Sequence, residues 1–310
     1  MAKNGATILF DDVYKQFDEN RVLEGLDLEV RRGELTTILG PSGCGKSVAL
    51  KHIIGILQAD RGRVVVAGHD MNTIEQQDLL ELRKRIGVLF QSSALFDSMN
   101  VKENVAFGLR MHTRISKGEI DERVRVCLEE VELPGSEGMM PVDLSGGMRK
   151  RAALARAIAM SPDIILYDEP TTGLDPQARH MVWQRIRLLK SQGITIILSS
   201  HYMEEASYLC DRVAIMDAGS IVAHGSPADL VSRYAGSEVT EIQVGLNQVD
   251  KERVMDLLRQ RGLEPEDGGE RVLVYGSGDF LHSEQVNSLE TLSRPANLED
   301  VFLDLTGRAL

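Results

Sequence analysis

Eight consecutive residues, Gly40-Pro41-Ser42-Gly43-Cys44-Gly45-Lys46-Ser47, restrict the fold of this chain more than any other segment. They follow Leu35–Leu39, an apolar run of strand length, and open into the helical pattern Val48–Leu57. The three glycines let backbone N–H groups close around phosphate oxygens at the positive end of a helix. Lys46 adds a cation facing those phosphates, and Ser47 a hydroxyl ligand for Mg2+. Pro41, Ser42, Cys44 and Val48 complete the cradle through their backbone, so the Cys44 thiol is not read as a nucleophile. Strand, glycine loop and helix in that order specify an α/β fold of the P-loop NTPase type.

A second segment gains meaning from the first. Ile164–Tyr167 is an apolar strand ending in Asp168-Glu169, which delivers two carboxylates to the carboxyl edge of a sheet, where α/β folds bind ligands. Asp168 suits magnesium and its water shell, and Glu169 suits the polarisation of an attacking water. Leu144-Ser145-Gly146-Gly147 precedes a strong helical pattern, so Ser145 caps that helix and directs its positive end at an anion.

The remaining chain supplies the frame. Strand patterns surround Ile8–Phe10 and Leu26–Val30. Helical periodicity dominates from about residue 92 to 160, notably in Lys117–Val131 and Met148–Met160, and a helix-like stretch over Met181–Leu189 separates Ile164–Tyr167 from the strand Thr195–Leu198. Composition shifts near Ser237: a strand at Val239–Val244, a helix over Lys251–Arg261, an acidic turn at Glu264–Glu270, a strand at Val272–Tyr275, and an apolar stripe of Leu298, Val301, Phe302 and Leu305. The reading is one ATPase domain over 7–236 with a helical subdomain at about 92–160, then a small α/β accessory domain over 237–310. A net charge of −12 argues against nucleic acid as a partner. No apolar run approaches the roughly 18–20 residues of a membrane helix, the N-terminus carries no secretory pattern, and three scattered cysteines suit a reducing compartment.

The order of these segments resembles the nucleotide-binding domain of ABC transporters over roughly residues 7–235. Position by position, the resemblance implies that Phe17, or alternatively Tyr14, stacks on adenine. It implies that Gln91 touches Mg2+ and links the core to the helical subdomain, and that Asp175 in Thr172-Gly173-Leu174-Asp175 communicates between two subunits. His201 would contact the γ-phosphate, and Ser145, Gly146 and Gly147 would form the signature segment that closes on ATP held by a second copy. Met148 stands where that family most often has glutamine. The resemblance thus implies an ATPase using ATP and Mg2+, working as a homodimer beneath integral membrane permease subunits, peripheral to the cytoplasmic face of the inner membrane.

Two stretches point to cargo in different directions. Phe90–Val101 with Glu103-Asn104-Val105, and Leu144–Ala159, resemble ATPases of Mla/Mce phospholipid transport, which implies an Mce-domain lipid-binding partner. Ser200–Glu205 and Asn297–Phe302 resemble ATPases of drug, polysaccharide or lipo-oligosaccharide exporters. Phospholipid transport is the leading expectation and such an exporter the alternative.

Overall fold

The computed structural model describes residues 6–244, 248–276 and 290–307. The chain divides between Val222 and Ala223 into two compact units.

The first unit begins with two long strands, β1 (Ala6–Phe17) and β2 (Asn20–Arg31), then β3 (Leu35–Leu39), α1 (Lys46–Ile53), β4 (Arg61–Val66), β5 (His69–Asp70), α2 (Gln76–Lys84) and β6 (Ile86–Leu89). The helical stretch holds α3 (Val101–His112), α4 (Lys117–Glu130) and α5 (Gly146–Ile158). It is followed by β7 (Ile164–Asp168), α6 (Pro176–Ser191), β8 (Thr195–Ser200), α7 (Met203–Leu209), β9 (Arg212–Asp217) and β10 (Ser220–Gly225), the strand in which the division falls. One sheet has the order β2-β1-β4-β5, and the central sheet the order β10-β9-β3-β8-β7-β6. The pairs β9–β3, β3–β8, β8–β7 and β7–β6 are all parallel.

Side-chain alternation explains why the central strands read as continuous apolar runs. Ile165 and Tyr167 in β7, with Ile196 and Leu198 in β8, join the core built with α3, α4, α5 and α6. Their neighbours Ile164, Leu166 and Ile197 join the core shared with β1, β2 and α1. Both faces of the sheet are covered, so no polar alternation remains to be seen.

Several elements depart from the local pattern. The first two strands run twelve residues each, continuing through register shifts between Phe10 and Lys15 where Asp12 and Gly25 take left-handed φ values of 51° and 66°. Bulges hide such strands from a search for strict alternation. Helix α1 stops at Ile53 rather than Leu57, because the chain turns at Gly55 (φ 66°) and Arg83 Nε donates to the freed Ile54 carbonyl at 2.9 Å.

The second unit contains α8 (Pro227–Leu230), a π-helical turn (Val231–Ala235), β11 (Glu238–Gln243), α9 (Gln248–Arg259), β12 (Pro265–Asp267), β13 (Arg271–Tyr275), β14 (Thr291–Pro295) and α10 (Leu298–Thr306). Its antiparallel sheet has the order β12-β13-β11-β14. Ile242, Val254, Leu258, Val272 and Val274 form the core under α9. The acidic turn at 264–270 contains the short strand β12. In α10, Leu298, Val301 and Phe302 are buried and Leu305 is half-buried, and the helix packs on α8 and the π turn of its own unit. That packing draws residues from 223 onward into the second unit. Residues 245–247, 277–289 and 308–310 of the expected accessory domain lie outside the described residues.

Candidate nucleotide site

Strand order builds the site. Because β8 lies between β3 and β7, Leu39 pairs with Ser200 and Asp168 with Ser199. The carboxyl ends of these three strands therefore bring the glycine loop, the two carboxylates and His201 to one edge of the sheet. That edge is where parallel α/β sheets bind ligands.

Each loop glycine is required for its own reason. A Cβ on Gly40 would stand 2.3 Å from the Met216 carbonyl oxygen, and Gly45 combines a φ of 111° with a would-be contact of 2.8 Å to the Val22 carbonyl. Gly43 has a φ of 85° and open space around its missing Cβ. Lys46, only 4% exposed, folds its side chain back along the loop and donates to the carbonyls of Gly40 at 2.7 Å and Pro41 at 2.9 Å. Ser42 is exposed, and Val48 is half-buried against the core. Burial raises the pKa of the Cys44 thiol, against a smaller lowering by Lys46, so the thiol stays protonated and unreactive.

Asp168 and Glu169 have different surroundings. Asp168 Oδ1 accepts from Ser47 Oγ at 2.8 Å and from Ser199 Oγ at 2.7 Å. Glu169 is held at φ 48°, a strained left-handed conformation for a residue with a side chain. Its Oε2 accepts from Gln91 Nε2 and Thr172 Oγ1, each at 3.2 Å, and its Oε1 lies 3.8 Å from Lys46 Nζ and 3.4 Å from His201 Nδ1. His201 Nδ1 is itself buried without a geometrically sound hydrogen bond. One carboxylate thus gathers Gln91, Lys46 and His201, three residues far apart in the chain.

The other expected residues lie differently. Ser145 Oγ accepts from Met148 N at 3.2 Å and caps α5, while Asp175 Oδ1 accepts from Ala178 N at 2.9 Å and caps α6. A Cβ on Gly146 would meet nothing within 4 Å, and one on Gly147 would stand 3.5 Å from Ala178. Phe17 ends β1, is 40% exposed, and has Lys15 Nζ 5.5 Å from its ring centre. The alternative, Tyr14, carries the Arg61 guanidinium at 4.8 Å. A cavity of about 390 Å³ lined by Arg123, Asp163 and Gln192 lies elsewhere, beside the residues that lead into β7 and β8, at the opposite ends of those strands.

Sequence reasoning missed Ser199, Lys150 and Glu205. Ser199 is foreshadowed by two serines at the end of an apolar strand, a poor place for hydroxyls unless they face a site. Lys150 and Glu205 carry no such signal, since a helical Lys or Glu ordinarily faces solvent.

Comparison with known proteins decides the family. A model of the ABC transporter family matches residues 23–172, and a model of the C-terminal domain of the nodulation factor export protein NodI matches residues 251–307. The Nod factor export ATP-binding protein I of Burkholderia thailandensis is 38% identical, covering 98% of this chain and 98% of that protein. The chain belongs to the ABC transporter ATP-binding family, in the group of the Nod factor export ATP-binding protein I. The protein of the same description from Rhizobium etli is also 38% identical, over 97% of this chain and 93% of its own length. A solved dimeric ATP-binding cassette in a post-hydrolysis state, bound to ADP and phosphate, is 29% identical with a TM-score of 0.66, covering 71% of this chain and 98% of that one. The fold of this ABC-family member is that of an ABC ATPase, and its activity is ATP hydrolysis coupled to transport.

These relatives do not support the phospholipid expectation or the Mce-domain partner that went with it, and they fit the exporter alternative better. The misleading stretch has a folding reason to look as it does. Asn104 is fully buried, and its amide binds Phe96 N at 2.8 Å, Phe96 O at 3.1 Å and Met99 O at 2.9 Å. It therefore shapes the loop before α3 whatever the cargo.

Proposed function

We propose that this chain powers an exporter of a lipo-oligosaccharide-type amphiphile. The observation that carries the reading is the similarity along the whole chain, including residues 251–307, to proteins described as Nod factor exporters. In this reading two copies sandwich ATP beneath permease subunits at the cytoplasmic face of the inner membrane. Among the described residues no helix is long and apolar enough to cross a membrane, and in this reading the permease subunits supply the export path.

The site residues take these roles. Backbone N–H groups of residues 40–48 and the Lys46 ammonium bind the phosphates. Ser47, Asp168 and Gln91 offer only oxygen ligands, and the first two already converge at 2.8 Å, which fits the hard-cation preference of Mg2+. Bound there, Mg2+ would neutralise negative charge on the nucleotide phosphates. Glu169 takes the proton of the attacking water, and His201 and Gln91 hold its carboxylate and the γ-phosphate in register. Phe17 stacks on adenine, Ser145, Gly146 and Gly147 close on the partner copy's ATP, and Asp175 sits between the copies.

Deleting the gene for this chain in its native host, followed by mass spectrometry of cell and medium lipids, tests the cargo. Retention of a lipo-oligosaccharide in the cells, restored to the medium by the wild-type gene, supports the proposal. A change confined to membrane phospholipids, with an Mce-domain protein co-purifying, overturns it.

A further inference from the structure

Lys150 lies in α5, three residues beyond the signature segment, and is 7% exposed. Its ammonium donates to two backbone carbonyls, that of Thr172 at 2.8 Å and that of Glu169 at 3.2 Å. Those carbonyls bracket the turn Glu169-Pro170-Thr171-Thr172, which a long 3.4 Å bond from Thr172 N to Glu169 O closes only weakly. The first residue of the turn is the strained, left-handed Glu169. Relaxation of that backbone angle would swing its carboxylate away from Lys46, Gln91 and His201.

The same turn is held through a side chain. Glu205, fully buried in α7, accepts from Thr171 Oγ1 and Trp183 Nε1, each at 2.8 Å, and from Ser200 Oγ at 2.6 Å. Burial lowers the pKa of Lys150, while the negative charges of Glu205 and then Glu169 oppose that shift. A buried ammonium is costly wherever an apolar side chain would pack as well. Here it supplies two donors to the one backbone segment whose conformation aims the carboxylate.

We propose that Lys150 is a positioning residue for Glu169, holding the carbonyls of Glu169 and Thr172 so that the strained turn presents the Glu169 carboxylate to Lys46, Gln91 and His201. The proposal rests on the reading of Glu169 as general base. Because α5 also begins with Ser145-Gly146-Gly147, one helix carries the segment read as facing a partner's ATP and the hold on this chain's own carboxylate.

The test measures ATP turnover and ATP affinity of the full chain with Lys150→Met, which keeps length without donors, and Lys150→Gln, which restores N–H donors without charge. For Lys150→Met, kcat falls about 10- to 100-fold with ATP affinity within about twofold of wild type, as expected of a misplaced catalytic group. Lys150→Gln recovers part of that loss. In the Glu169→Gln background, where no base remains to be positioned, Lys150→Met causes no further fall in single-turnover hydrolysis. Turnover like wild type, a matching loss of ATP affinity, or a full additional fall in the Glu169→Gln background overturns the positioning role. If Lys150→Met does not fold, Lys150→Gln is put through the same three comparisons and decides. Wild-type turnover in Glu169→Gln alone removes the general-base reading itself. Wild-type turnover in the Lys150 variants beside an inactive Glu169→Gln removes only the positioning role.

Discussion

Gly40→Ala and Gly43→Ala, three residues apart in one loop, are expected to fail in opposite ways. The new Cβ at residue 40 would lie 2.3 Å from Met216 O and 2.9 Å from Cys44 Sγ. Met216 belongs to β9, which pairs directly with β3 through Leu39 and Ile215 inside a buried sheet, so the carbonyl has nowhere to go. Overpacking of this kind costs about 1–3 kcal/mol, and a backbone obstacle places it at the upper end. At about 2–4 °C per kcal/mol for a domain of this size, Tm falls by about 6–12 °C. At residue 43 the new methyl meets no atom within 4 Å, and the cost is the φ of 85°. The exposed loop escapes that strain by unbending, which limits the loss of stability to about 1 kcal/mol. Unbending, however, turns the loop N–H groups away from the phosphates, and ATP affinity falls at least about tenfold, or 1.4 kcal/mol. Trp183, the single tryptophan of the chain, is buried in α6, so its fluorescence reports melting of the first unit alone. Calorimetry reports ATP binding. The steric argument fails if Gly40→Ala melts within about 2 °C of wild type, and the cradle argument fails if Gly43→Ala binds ATP as tightly as wild type.

Lys46→Ala weakens ATP binding in calorimetry because it deletes the loop's cation, whereas Ser145→Arg spares binding by the single chain and blocks the ATP-dependent dimer seen by size-exclusion chromatography; the reverse pattern would exchange the two roles. His52 is 1% exposed, its Nε2 has no hydrogen-bond partner, and burial lowers its pKa from 6.5, with Lys15 adding to the effect. The unfolded chain therefore binds a proton on His52 more readily than the folded one, so its contribution is intact above pH 6.5 and stability is lost as pH falls below that value. The slope is at most about 1.4 kcal/mol per pH unit for this one proton, and Trp183-detected melts from pH 7.5 to 5.5 should show it shrinking in His52→Leu. Arg294 joins two buried carboxylates, meeting Glu241 at 2.6 Å and Asp300 at 2.7 Å through both oxygens. Arg294→Leu leaves the buried Asp300 without its cation, while Arg271 still pairs with Glu241 at 2.5 Å, and costs the second unit about 3 kcal/mol, visible as loss of hydrogen-exchange protection in β11 and α10 while the Trp183 melt stays unchanged.

Local chemistry made much of this protein readable without coordinates. The residues of the phosphate loop follow from what backbone must do to surround a phosphate, and the apolar strand ending in Asp168-Glu169 announces a sheet edge with carboxylates on it. The cap at Ser145 is equally local, since a cap binds an amide three residues away. What no local rule supplies is strand order. Only the placement of β8 between β3 and β7 brings Ser47, Asp168 and Ser199 into hydrogen-bond contact, and only the left-handed turn at Glu169 gathers Lys46, Gln91 and His201 around one carboxylate. Lys150 and Glu205 were invisible for the same reason. A charged residue in a helical pattern reads as solvent-facing, and burial with partners supplied by a distant turn is decided only when the helix packs. The long strands β1 and β2 were likewise obscured, because bulges break the alternation by which a sequence declares a strand, while the sheet tolerates them by shifting register.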